Sequence, residues 1–144
     1  MSTASDFLTN DHRECDALWA KVEAAADGGD LAATRAAFVA FDKSMQRHFE
    51  FEEKTLFPAI EQATGMSGFG PTAVMRSEHE QMRRILATMT TALESGDTGS
   101  LLDHGDTLLM VIQQHNVKEE RILYPIADAR VGGEWAALRA GWVE

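Results

Sequence analysis

Cysteine occurs once, at Cys15, in a chain of 144 residues. No internal disulfide can form, so the fold does not depend on an oxidising compartment. Positive charge is also scarce: 13 Lys and Arg stand against 23 Asp and Glu, a formal net charge of −10. That sign is wrong for tracking a phosphate backbone or an anionic bilayer, and nucleic acid is not an expected partner. No stretch approaches the roughly 20 apolar residues of a membrane span. Residues 1–11 are polar and acidic, without the basic and apolar regions of a signal peptide. A cytoplasmic protein with no membrane partner is expected. No segment alternates with period two, which leaves no candidate strand.

What remains is helical. At 44% hydrophobic and 25% charged the composition is that of a globular chain, and the length suits one domain over residues 1–144. Breakers divide it at Gly28-Gly29, Gly65 to Pro71, Gly96 to Gly99 and Gly132-Gly133. The segments between them carry apolar stripes at steps of three and four. These are Leu8, His12, Cys15, Trp19, Val22; Phe38, Phe41, Met45, His48, Glu52, Leu56; Met75, His79, Met82, Leu86, Met89, Leu93; and Leu101, Leu108, Val111, His115, Glu119, Ile122, Ile126. Asp30 suits a helix cap, Pro71 a first helical turn, and Gly28 and Gly96 helix C-termini. The expected fold is all-α, an up-down-up-down four-helix bundle over about residues 5–130 with a short C-terminal helix over about 133–143. That last helix, with Trp135, Leu138 and Trp142 on one face, is expected to pack across an end of the bundle.

The chain repeats itself. Residues 48–60, HFEFEEKTLFPAI, and 115–127, HNVKEERILYPIA, share the pattern H-x3-E-E-x2-L-aromatic-P at an offset of 67. The same offset carries His12 onto His79, Leu8 onto Met75, Cys15 onto Met82 and Trp19 onto Leu86. The bundle is thus expected to be two copies of a helix pair related by a pseudo-twofold.

Residues four apart on a helix lie roughly 6 Å apart on one face, so His48 with Glu52 and His115 with Glu119 can converge. All six of His12, His48, Glu52, His79, His115 and Glu119 fall on apolar stripes, where an ionised carboxylate is costly unless paired or metal-bound. One stripe histidine is ordinarily a hydrogen-bonded core residue. Four of them, related in pairs by one offset and two followed by a glutamate, indicate metal. Imidazole and carboxylate donors without several thiolates suit iron, manganese or zinc, and six donors are too many for one zinc. Shared between two metals, they place His12 and His48 on one, His79 and His115 on the other, with the carboxylates able to bridge.

The other candidates carry less. His104 lies 11 residues before His115, about 16 Å along a helix at 1.5 Å per residue, too far to join the site. Glu53 and Glu120 are turned about 100° away from the glutamates they follow, so a solvated place or one behind the ligands is expected. Pro58 and Pro125 each remove a helical hydrogen bond and are expected to bend or end a helix, or to shape ligand access. Core packing is expected of Trp19, Phe49, Phe57 and Tyr124, with lining of the metal pocket the alternative. Cys15 reads as a small core residue that can also approach the site, one turn after His12.

With these residues in place, the chain resembles the hemerythrin-like, or HHE cation-binding, family over roughly residues 5–130. A histidine on the first helix, H-x3-E on the second, a histidine on the third and H-x3-E on the fourth match that family's ligand order. The resemblance implies two iron ions in an oxo- or hydroxo-bridged non-haem centre, held by the six residues and bridged by Glu52 and Glu119.

The sequence departs from the oxygen-carrying hemerythrins, whose third helix supplies two histidines one turn apart. Here Met75 and Arg83 flank His79 at that spacing. Each metal would keep about one open position, unless Glu78 or Glu80 fills it. Two open irons favour bridging ligands over clean end-on binding and release. The expectation is a protein that binds or senses oxygen, peroxide or nitric oxide. The alternatives are a redox enzyme that disposes of peroxide or nitric oxide, and a passive metal-binding protein. The extra cysteine-containing domain of many iron-centre repair proteins is not visible in this sequence.

Overall fold

A capping box starts the first helix: the Asp6 N–H donates to the Thr3 hydroxyl, and the Thr3 N–H donates to the Asp6 carboxylate. The computed structural model describes residues 2–144. Among these, no strand occurs, and the α-helices are α1 (Ala4–Asp27), α2 (Leu31–Phe51), α3 (Phe57–Thr64), α4 (Pro71–Glu94), α5 (Thr98–Lys118), α6 (Tyr124–Val131) and α7 (Trp135–Arg139). A π-helical turn, Glu52–Leu56, runs α2 on into α3, and another, Glu119–Leu123, runs α5 on into α6. The result is the expected four-helix bundle, its second and fourth rods each built from two α-helices and a π turn, with α7 following.

The repeat extends into the turns. Gly29 and Gly96 take left-handed conformations at φ 72° and 71°, as helix-ending glycines do. Asp30 and Asp97 follow and cap α2 and α5, accepting from the Ala33 and Ser100 N–H groups. Each turn folds one hairpin, α1 on α2 and α4 on α5.

The π turns have no counterpart in the periodicity of the sequence. Phe57 N–H reaches the Glu52 carbonyl and Tyr124 N–H the Glu119 carbonyl, one residue wider than an α-turn. Pro58 and Pro125 come next, and their disturbance takes this form: a proline ring presses on the carbonyl four residues back in an α-helix, and the wider turn relieves it. The extra residue also rotates the stripe. Ile122, expected inside, is 53% exposed, while Leu123 and Tyr124 are buried in its place. Leu56 and Phe57 are likewise both fully buried.

The core forms two clusters. One joins Cys15, Trp19, Phe38, Phe41, Met45, Met82, Leu86 and Leu108. The other joins Leu8, Phe51, Leu56, Phe57, Met75, Leu123, Tyr124, Trp135 and Trp142. The 3-10 turn Gly132–Glu134 and α7 bring Trp135 and Trp142 to that second cluster, against Phe7 and Phe51. The stripe histidines and glutamates lie where the two clusters meet along each rod.

Candidate metal centre

The structure brings all six stripe residues together, each at most 4% exposed. Their inward atoms fall in two groups, each within 4.8 Å: Glu52, His79, His115 and Glu119 in one, His12, His48 and Glu119 in the other. The carboxylates span both. Glu52 sets Oε1 3.1 Å from His79 Nε2 and Oε2 3.3 Å from His48 Nε2. Glu119 Oε1 lies 3.1 Å from His12 Nε2 and 3.2 Å from His115 Nε2.

Each imidazole is held from behind by a carboxylate on its outer nitrogen. His12 Nδ1–H donates to Glu120 and His79 Nδ1–H to Glu53, both at 2.7 Å. His48 Nδ1–H donates to Asp11 at 2.7 Å, and His115 Nδ1–H to Glu78 at 2.8 Å. An ionised carboxylate can only accept, so these contacts fix the tautomer and turn the Nε2 lone pairs inward. Glu53 and Glu120 thus stand behind the inner residues as the sequence suggests. Asp11 has a signal in the sequence: an acid directly before the histidine, Asp11 before His12 and Glu78 before His79, recurs at the same offset. Glu78 is spoken for by His115 and Lys118. Glu80 is exposed and paired with Arg83. Neither faces the site.

Tyr124 and Phe57 occupy equivalent places one residue past the π turns, and both touch the centre. Phe57 stacks on His79 with ring centroids 5.7 Å apart, and Phe49 covers the same imidazole at 4.4 Å. Tyr124 is more than core packing. Its hydroxyl donates to Glu52 at 2.7 Å, lies 3.0 Å from Glu119 Oε1, and is 3.2 Å from both His12 Nε2 and His48 Nε2. A straight α-helix turns position five past Glu119 away; the π turn brings it back. His104 is outside the centre and Trp19 packs in the first core cluster.

The electrostatics follow from burial and pairing. Burial works to lower His79, but Glu52 and Glu53 prevail and raise it to about 9. His48 and His115 are raised for the same reason, through Glu52 with Asp11 and through Glu119 respectively. Burial works against the charge on Glu119, yet His115, His12 and His48 hold it well below the ordinary range. Burial and the charges of Glu119 and Glu52 push the Tyr124 phenol well up. Burial also raises the Cys15 thiol, whose Sγ is 3.3 Å from Ser44 Oγ; it is not a poised thiolate.

The donor set fits metal. His79 Nε2, His115 Nε2, Glu52 Oε1 and Glu119 Oε2 are buried with no hydrogen-bond partner. Donors left so in a fold are explained by an ion between them. Adjacent donors around an octahedral ion at about 2.1 Å are about 3 Å apart, which is the spacing of these atoms. Beside them lies a cavity of about 10 Å³, lined by Cys15, Met45, Phe49, Met82, Ile112 and Asn116 together with His12, His48, His115 and Glu119.

Comparison with known proteins agrees with this chemistry. The family model described as Hemerythrin HHE cation binding domain matches residues 3–127. An iron-sulfur cluster repair protein YtfE of Escherichia coli O81 is 30% identical over 93 residues, covering 59% of this chain and 42% of the relative. That of Salmonella paratyphi B is 27% identical over 96 residues, covering 61% and 44%. The chain therefore spans less than half the length of these relatives. No solved structure gives a significant match.

Proposed function

The chain belongs to the hemerythrin HHE cation-binding family, and from that premise we propose that it holds two iron ions at which a small oxidant or diatomic molecule binds. The observation that carries this is the set of four partnerless buried donors, Glu52 Oε1, His79 Nε2, His115 Nε2 and Glu119 Oε2, beside a second group that shares Glu119. His12 and His48 would hold one ion, His79 and His115 the other, and Glu52 and Glu119 both. Iron supplies Lewis acidity and electron exchange when bound. The chain supplies the rest: Asp11, Glu53, Glu78 and Glu120 orient the imidazoles, and Met45, Met82, Ile112 and Phe49 exclude bulk water. A cavity of about 10 Å³ suits a ligand no larger than a water or a diatomic molecule. Its largely apolar lining favours oxygen or nitric oxide over an anion.

The test is iron content and the optical spectrum of the anaerobically reduced protein, before and after oxygen or nitric oxide. About two irons per chain and a new ligand-dependent band support the reading; reversal of the band on removing the gas distinguishes binding from turnover. Zinc, or little metal and no band after reconstitution with ferrous iron, would leave a passive metal-binding protein. The name of the relatives favours a second reading, repair of iron-sulfur clusters, which is tested by transfer of iron from the loaded chain to a damaged cluster.

A further inference from the structure

The pseudo-twofold relates every donor of the centre except one. His12 pairs with His79, His48 with His115, Glu52 with Glu119, and the supporting Asp11 and Glu53 with Glu78 and Glu120. Tyr124 pairs with Phe57, which has no oxygen. The only hydroxyl in the centre therefore lies on one side of the twofold. We propose that the Tyr124 oxygen is a seventh protein ligand, bound to the ion that His12 and His48 hold, so that the two irons are chemically unequal.

The geometry carries this step. The oxygen lies 2.7–3.2 Å from His12 Nε2, His48 Nε2, Glu52 Oε2 and Glu119 Oε1, the spacing of neighbouring donors on one octahedral ion, about 3 Å. An ion taken by those four atoms must touch the phenol oxygen or expel it. Expulsion is opposed by packing: Tyr124 is fully buried, its ring is stacked on His12 at 5.6 Å, and it belongs to the core cluster of Leu56, Phe57 and Leu123. A cation among these donors reverses the local field of the two carboxylates and favours phenolate, as it does for any acidic ligand. The phenol proton leaves to solvent as the oxygen–metal bond forms, and no oxidation state changes. The ion of His12 and His48 then has five protein donors and that of His79 and His115 has four, so an incoming small ligand is directed to the second.

This rests on the two-iron reading, and the experiment separates the two. The full chain is loaded anaerobically with ferrous iron, assayed for iron, oxidised with ferricyanide, and examined by absorption and resonance Raman spectroscopy. Tyr124 is the one tyrosine in the sequence, so tyrosine ring modes enhanced within a visible charge-transfer band can come from nowhere else. That result is expected, with loss of the band from the iron that Tyr124→Phe retains, iron being assayed in the same sample. About two irons with ordinary near-ultraviolet iron bands but no tyrosine modes in the unsubstituted protein overturns this inference and keeps the two-iron reading. Failure to retain iron overturns both. Should Tyr124→Phe not fold, the spectrum of the unsubstituted protein decides alone.

Discussion

Asp11, on the first helix, holds His48 on the second through a 2.7 Å hydrogen bond to the ring Nδ1–H. Glu78 does the same for His115 one half of the molecule away. Loss of a carboxylate behind a ligating histidine costs metal affinity on the order of 10–100-fold. Asp11→Asn is expected to weaken the ion of His12 and His48, so that a chelator removes about one iron per chain readily and the other slowly. Glu78→Gln is expected to mirror it. Iron retained against a graded chelator series checks both. Uniform loss of both irons in each variant would mean that the carboxylates support the fold rather than individual ligands.

His115→Ala removes a donor from the group formed with Glu52, His79 and Glu119. It is expected to lower iron content and to leave Glu119 without its main counter-charge, weakening the fold. His104→Ala, on the same helix but outside the centre, is expected to keep iron near the unsubstituted value. Metal analysis of the two purified variants decides between a specific site and a general response to losing a histidine from α5.

Gly105 illustrates how the two halves diverge. A Cβ there would lie 2.3 Å from two ring carbons of Trp19, whereas the repeat equivalents are Phe38 and Leu86: the bulky and small members have changed places. Gly105→Ala overpacks a rigid aromatic and is expected to lose about 1–3 kcal/mol of unfolding free energy. Adding Trp19→Leu, the residue found at the equivalent position, should recover part of that loss, with a coupling of about 0.5–3 kcal/mol between the sites. Urea unfolding of both single variants and the double variant measures it.

The stripe residues made the bundle and the gathering of four histidines with two glutamates legible, because helical period and a 67-residue offset survive in the sequence without any coordinates. Asp11 and Glu78 were less legible: each sits just outside the stripe, and only the direction of a neighbouring helix shows that it reaches a histidine there. Tyr124 was hidden by a different cause. Its place depends on a π turn, and a fixed 3.6-residue period rotates it away and draws Ile122 inward instead. The repeated proline six residues after each glutamate was the available signal, since it marks where an α-turn is sterically least tolerable. Charge gave no help in placing the site, because the acids behind the histidines resemble solvated ones in composition.

The metal-free and metal-loaded proteins should answer to pH with opposite slopes. His79 is raised from about 6.5 to about 9, so the folded metal-free chain holds that proton more tightly than the unfolded chain. Its stabilising contribution is complete below about pH 6.5 and is lost as pH rises through about 9. His48 and His115 are shifted in the same direction. Glu53 acts at the other end: lowered from 4.5 to about 2, it contributes above pH 4.5 and fails as pH falls through about 2. Metal-free protein is therefore expected to be most stable between about pH 4.5 and 6.5 and to weaken above. Metal needs the Nε2 lone pairs, so binding releases protons and tightens over the window in which the metal-free fold weakens. At a hundredfold excess over its dissociation constant a bound ion adds about 2.7 kcal/mol, or about 5–10 °C in Tm for a chain of this size. Thermal melts of chelator-treated and iron-preloaded protein between pH 6.5 and 9 should show the gap widening with pH. A metal-free Tm that instead rises across that interval would mean that the imidazoles enter the fold neutral, with the buried carboxylates protonated in their place.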